Sequence, residues 1–191
     1  MVNWDSVHRT NYESKAFWDI HWIRKAKDLL KSADLIQPEV VRLWNSVEEG
    51  LDNMDREILA DYYQGTYFML RAFAVENILK AVIIRNKSTE YRRKFRDTLK
   101  FPKELQSHDL VKLAKKAGFD FTVEQEDLLR RLTRSATWHG RYPIPLNYRH
   151  SAGEERFKDG REYSVSWFGS NDVGRINDFI EELKHIFGIQ C

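Results

Sequence analysis

From Asp55 to Asn86 the chain carries apolar side chains at nearly every angular position a helix offers: Leu59, Tyr62, Tyr63, Tyr67, Met69, Leu70, Phe73, Ala74, Ile78, Ala81, Val82 and Ile84. A helix apolar on most of its circumference has no natural solvent face, so other elements must surround it. This stretch therefore predicts a mainly α-helical bundle built around one central helix. Glu76, Asn77 and Lys80 are the exceptions within it, because polar groups on a buried helix must be paired or line a cleft. Two readings stay open. Glu76 and Lys80 form an i,i+4 pair at a partly exposed edge, or they line a site.

The remaining segments supply the surrounding layer. The residues before Ser14 show no periodicity and read as irregular. Phe17, Trp18, Trp22, Ala26, Leu29 and Leu30 recur at three and four, predicting an amphipathic helix over Lys15 to Ser32. Asp34 to Gln37 breaks that pattern, and Pro38 suits the first turn of a second helix that Gly50 ends. Trp4, Trp18, Trp22 and Trp44 are expected in the core more than at an interface. Tyr91-Arg92-Arg93-Lys94-Phe95-Arg96 reads as a solvated basic face or loop; aromatics interleaved with cations could also track a polyanion. Ser107 is the expected N-cap of a short helix to about Lys116, closed by Gly118. Thr122 with Gln125 forms a capping box for the next helix, which runs to about Gly140 before Pro143. A β-hairpin is expected around the Asp159-Gly160 turn, with Tyr163, Val165 and Trp167 alternating. A last helix follows, capped by Asn171 or Asp172. The organisation predicted is one domain over 1–191: N-terminal helices 15–50, a core of about 55–143, and a hairpin plus C-terminal helix over about 149–188.

Composition narrows the chemistry. A chain of 191 residues with Cys191 as its one cysteine contains no intramolecular disulfide and no cysteine zinc site. That usage suits a reducing, cytoplasmic setting. Met1 to Asp19 lacks the apolar core of a secretory signal, and Phe68 to Ile84 is interrupted by Arg71, Glu76, Asn77 and Lys80, so no membrane association is expected. A net charge of +2 offers no global attraction for nucleic acid, so any such attraction must be local. Phosphate-binding glycine loops, H-E-x-x-H and G-x-S-x-G are missing, and the histidines are scattered. No metal and no cofactor is implied.

The local candidate is Arg134-Ser135-Ala136-Thr137-Trp138-His139. An imidazole, which titrates near neutrality, can take the proton of a ribose 2′-hydroxyl. A guanidinium presents a planar, permanently charged fork to a phosphate on which charge grows in the transition state. Ser135 could add a hydrogen bond, and Arg130, Arg131 and Arg141 would supply a local field for RNA. On an ideal α-helix, residues five apart differ by roughly 140° in direction. Arg134 and His139 then converge only if the helix distorts near Gly140, or if a second copy of the chain completes the site. Otherwise His139 is a helix-terminal residue favoured by the dipole, and Arg134 a surface residue.

Taken in order, Glu76-Asn77-x-x-Lys80 on a long helix, Ser107-His108-Asp109-Leu110, and Arg134-x4-His139 followed by Arg141-Tyr142-Pro143 resemble the HEPN domain. The resemblance spans roughly Asp55 to Pro143. It implies an all-α bundle, commonly a homodimer, in which R-x4-6-H motifs from two protomers meet in one cleft. Catalytic members are metal-independent endoribonucleases of toxin–antitoxin, phage-defence and RNA-processing systems. By position, Arg134 and His139 would be the catalytic pair, with Ser135, Glu76 and Lys80 in support. Ser135 departs from the Asn, Asp or His that often follows the arginine. The resemblance also implies partners: RNA, a cognate antitoxin, or a nucleotidyltransferase, whose own signature this chain lacks. Other members lack the pair and act as non-catalytic binding or accessory proteins.

Overall fold

The computed structural model describes residues 3–48, 53–142, 154–156, 162–164 and 168–190, with side chains for 3–45, 64–138, 140–142 and 168–190. The protein is mainly helical. Among the described residues it contains α1 (Trp4–Phe17), α2 (Asp19–Glu48), α3 (Asn53–Thr98), α4 (Leu110–Ala117), α5 (Val123–Arg134) and α6 (Ser170–Phe187). No helix among them is long and apolar enough to cross a membrane.

The centre is α3. Tyr67, Phe68, Ala72, Ala74, Val75, Ile78, Leu79, Ala81, Ile83 and Ile84 are all fully buried or within 1% of it, on every side of the helix. Its main partner is the long α2, and α4, α5 and α6 also pack against it. From Tyr67 to Ile84 the apolar pattern thus has the structural consequence expected of it, while the side chains of Leu59, Tyr62 and Tyr63 lie outside the described residues.

Several boundaries differ from expectation. Trp4 to Glu13 are not irregular but lie in α1. Only Ala16 and Phe17 of that helix are buried, so its sequence carries no apolar period to detect. It is held by the Asn3 side chain, which accepts from the Ser6 N–H at 3.1 Å, and by Glu13. Trp18, in extended conformation, separates α1 from α2.

Asp34 to Gln37 does not break α2, and Pro38 lies inside that helix. An interior proline removes one backbone hydrogen bond and crowds the preceding turn, at a cost of about 3 kcal/mol in isolation. Here the same turn is fastened to α3. Buried Arg71 donates to Asp34 Oδ1 at 2.7 Å and Gln37 Oε1 at 2.8 Å, and Tyr67 Oη donates to the same amide oxygen at 3.1 Å. The polar residues that looked like a break are partners of a buried arginine.

The expected end of the long helix at Asn86 coincides with a kink at Lys87 (φ −129°, ψ 17°), after which α3 continues to Thr98. The basic run therefore lies on a helix rather than in a loop. Tyr91 and Phe95 face inward against Phe17, with ring centroids 6.4 and 5.7 Å apart. Arg92 and Arg96 converge on Glu13 of α1 at 3.1 and 2.7 Å. Leu99 then stops the helix in the left-handed region (φ 54°).

The shorter helices carry clear caps. Thr122 and Gln125 form the expected capping box, and Gly118 closes α4 at φ 79°, a conformation that suits glycine. The α4 N-cap is Asp109 rather than Ser107: its carboxylate accepts from the Lys112 N–H at 3.0 Å. Gly169 is the N-cap of α6, and Asp172 sits three residues in, accepting from the Gly169 N–H at 2.8 Å. Strands β1 (Glu154–Arg156) and β2 (Glu162–Ser164) pair antiparallel with Glu155 opposite Tyr163. The Asp159-Gly160 turn, Val165 and Trp167 lie outside the described residues.

Candidate functional site

The chain from α5 to Tyr142 is set by one close approach. Leu128, Leu129, Leu132 and Ala136 bury one stripe in the core. A Cβ on Gly140 would lie 2.4 Å from Met69 Cβ and 2.8 Å from the Gly65 carbonyl oxygen, so only glycine lets this segment touch α3. Between Arg134 and that contact the helix widens. Ser135–His139 is a π-helical turn, closed by the Gly140 N–H on the Ser135 carbonyl at 3.2 Å. The N–H groups of Arg141 and Tyr142 both donate to the Trp138 carbonyl at 2.9 Å and end the turn.

A π turn changes the register argument. Its hydrogen bonds join residues five apart, so such residues stand to one another roughly as residues four apart do in an α-helix. The divergence of roughly 140° expected for Arg134 and His139 applies to ideal α geometry, and the backbone between them is not in that geometry. The His139 side chain lies outside the described residues.

The other expected site residues separate into surface and interior. Arg134 is half-buried at the last position of α5. Ser135 is fully buried, and its hydroxyl donates to the Arg131 carbonyl at 3.4 Å, which turns it away from the phosphate contact expected of it. Arg131 is not a surface cation. It is 5% exposed, donates twice to Asp172 (2.7 and 3.1 Å) and once to Asp127 (2.9 Å), and covers the Phe168 ring at 5.0 Å. Burial alone would weaken its charge, but the Asp172 and Asp127 carboxylates outweigh that and raise its pKa. Asp172 shows the converse: burial pushes it up, and the Arg131 guanidinium and the Gly169 N–H bring it below the usual carboxylate value. Arg130 stays near the surface in an ion pair with Glu126, and exposed Arg141 lies 5.0 Å from the centre of the Phe73 ring.

Glu76 and Lys80 do form the i,i+4 pair, with Nζ 2.6 Å from Oε1, but in the interior rather than at an edge: they are 5% and 4% exposed. The Lys80 ammonium also sits 5.8 Å from the centre of the Trp22 ring. The second Glu76 oxygen, Oε2, is 2.9 Å from Nδ1 of His108, whose side chain is half exposed. His108 was not among the expected site residues. Its sequence context, Ser107-His108-Asp109-Leu110, signals a helix start, and nothing in it shows that the imidazole reaches α3. The same segment also touches α5: the Leu110 N–H donates to Thr133 Oγ1 at 3.0 Å, one residue before Arg134. Asp109 next to it is raised by burial but lowered further by Lys112 and by the charge of Arg130, and so lies below the usual aspartate value.

Family models, curated proteins and solved structures return no match to this chain. No group of three or more His, Cys, Asp or Glu among the described residues could hold a metal ion. A cavity of about 500 Å³ lies beside Phe17, Trp18, Arg85 and Arg92. Its arginines are answered by Asp19 and Glu13 at 2.8 and 3.1 Å. The α5 terminus with its neighbours on α3 and α4 remains the stronger site.

Proposed function

We propose that this chain is a metal-independent endoribonuclease of HEPN type that cleaves RNA through the ribose 2′-hydroxyl and works as a cytoplasmic homodimer in a toxin or defence system. The observation that carries the reading is the π turn at Ser135–His139. It relieves the angular objection to an Arg134–His139 pair, and π turns inside helices occur frequently at functional sites. In this reading His139 takes the 2′-hydroxyl proton, the 2′-oxygen attacks phosphorus, and Arg134 stabilises the charge on the non-bridging oxygens. The products are a 2′,3′-cyclic phosphate and a 5′-hydroxyl. Arg130 and Arg141 supply surface charge, Glu76 and Lys80 support the site from inside, and Arg131 and Ser135 hold the helix. A cognate antitoxin or a nucleotidyltransferase is the expected protein partner.

A second reading has its own support. Trp4 and Trp18 are 65% and 55% exposed, contrary to the expectation that the N-terminal tryptophans belong to the core. Exposed tryptophans suit a non-catalytic binding or accessory protein. Purified wild-type protein and His139→Ala, given single-stranded RNA in EDTA, separate the two. The nuclease reading predicts cleavage by the wild type with 2′,3′-cyclic phosphate ends and none by the variant. A folded wild type that cleaves no RNA favours the accessory reading.

A further inference from the structure

Cleavage through the 2′-hydroxyl moves two protons. One leaves the 2′-oxygen as the new P–O2′ bond forms, and one must reach the 5′-oxygen as the P–O5′ bond breaks. The nuclease reading gives the first to His139; the second can come from the His139 of a second copy in the shared cleft or from another acid of the same protomer. An alkoxide is a poor leaving group, so a fixed acid near it is worth about 10²–10⁴ in rate. Such an acid must be exposed to the RNA, held in one orientation, and close to the arginine that binds the phosphate.

His108 meets the first two requirements from the interior outward, and its segment is bonded to the turn that carries Arg134. Lys80 is buried and fixed on Glu76 at 2.6 Å, and Glu76 meets His108 Nδ1 at 2.9 Å. A carboxylate can only accept, so Nδ1 carries the hydrogen and Nε2 is the nitrogen not committed to Glu76. The ring is half exposed although its anchor is buried. The segment also lies on the last turn of α5, through the Leu110 N–H bond to Thr133, the residue before Arg134. His8 and His21, by contrast, lie against Trp4 and Trp18 at the N-terminal end of the chain.

Resting on the nuclease reading, we propose that His108 is a catalytic residue that donates the proton from Nε2 to the departing 5′-oxygen, with Glu76 and Lys80 as positioning residues. After the step His108 is neutral, His139 carries the proton taken from the 2′-hydroxyl, and the RNA has parted into a cyclic phosphate and a 5′-hydroxyl. Charge and protons balance without any further reactant.

The test uses one RNA that the wild type cleaves, made with either oxygen or sulfur at the bridging 5′ position of the scissile bond. A thiolate leaves without protonation. His108→Ala and His108→Asn are compared with wild type and His139→Ala; the Asn amide preserves a donor for Glu76 but cannot transfer a proton. The expected result is a loss of about 10²-fold or more on the oxygen substrate for both His108 variants, near-wild-type rates on the sulfur substrate, and loss on both substrates for His139→Ala. Equal slowing on both substrates, rescue by Asn, or no effect overturns the role of His108 while leaving the nuclease reading standing. A wild type that cleaves no RNA removes that reading and this inference with it.

Discussion

Arg131 on α5 and Glu76 on α3 are each 5% exposed, and each ties its helix to another, but their networks end differently. Arg131 is enclosed by Asp127 and Asp172, and Asp172 in turn holds the Gly169 N–H and Arg175. Asp172 thus joins two arginines and a backbone N–H at the start of α6. The Glu76 network begins the same way with buried Lys80, but it ends on an imidazole half in solvent. The first arrangement fits a fastening between α5 and α6. The second delivers a titratable group, held by a buried anchor, to the surface beside the α5 terminus. Both networks reach the surface, at Arg175 (47% exposed) and at His108 (50% exposed); they differ in that a guanidinium keeps its charge while an imidazole can exchange a proton.

Removing one partner from each network tests whether both hold the fold. Asp172→Ala removes two hydrogen bonds from buried Arg131 and the acceptor of the Gly169 N–H at the start of α6; chemical denaturation should show a loss of about 3–5 kcal/mol. Because the Asp172 carboxyl is held below its ordinary value of 3.8, its contribution is complete above that pH and is lost as pH falls through the lower folded-state value. An Asp172→Asn protein should therefore show a shallower fall in stability under acid, read by denaturation at stepped pH. Lys80→Met strips Glu76 of its counter-charge but leaves His108 as partner, so a smaller loss of about 2–3 kcal/mol is expected. Little loss from either substitution would contradict the account of these charges as fastenings.

Two further substitutions should have smaller effects. Gly140→Ala drives a methyl into Met69 and the Gly65 carbonyl; it should cost about 1–3 kcal/mol and loosen the π turn from α3, checked by thermal melts. Tyr91→Phe should be nearly neutral at pH 7. Burial lifts the Tyr91 phenol from 10.0 to about 12, with Glu104 adding to the rise. Folding thus favours the protonated phenol, and that contribution is present below pH 10.0 and lost as pH rises towards about 12. Stability curves for wild type and Tyr91→Phe should separate only in that alkaline window.

The sequence revealed the parts of the fold governed by local rules. The buried central helix follows from apolar residues on every side, and the α4 end and α5 start follow from Gly118 and the Thr122–Gln125 box. Features that depend on distant residues were hidden. Asp34 and Gln37 looked like a helix break because their partner, Arg71, is 37 and 34 residues away. Arg131 looked like a surface cation until Asp172, 41 residues on, supplied its counter-charge. His108 looked like part of a helix cap because Glu76 lies 32 residues back. The helix α1 was silent for a different reason: a helix that buries only its last two residues leaves no period to read.

The most direct test of the central claim is the single-turnover cleavage rate of RNA by wild type, Arg134→Ala, His139→Ala and the double variant, with fold and oligomeric state checked for each. If Arg134 and His139 act as one unit, each single substitution should abolish most of the activity and the double should be no slower than the worse single. Wild-type rates in both single variants would contradict the account, as would losses that simply multiply in the double.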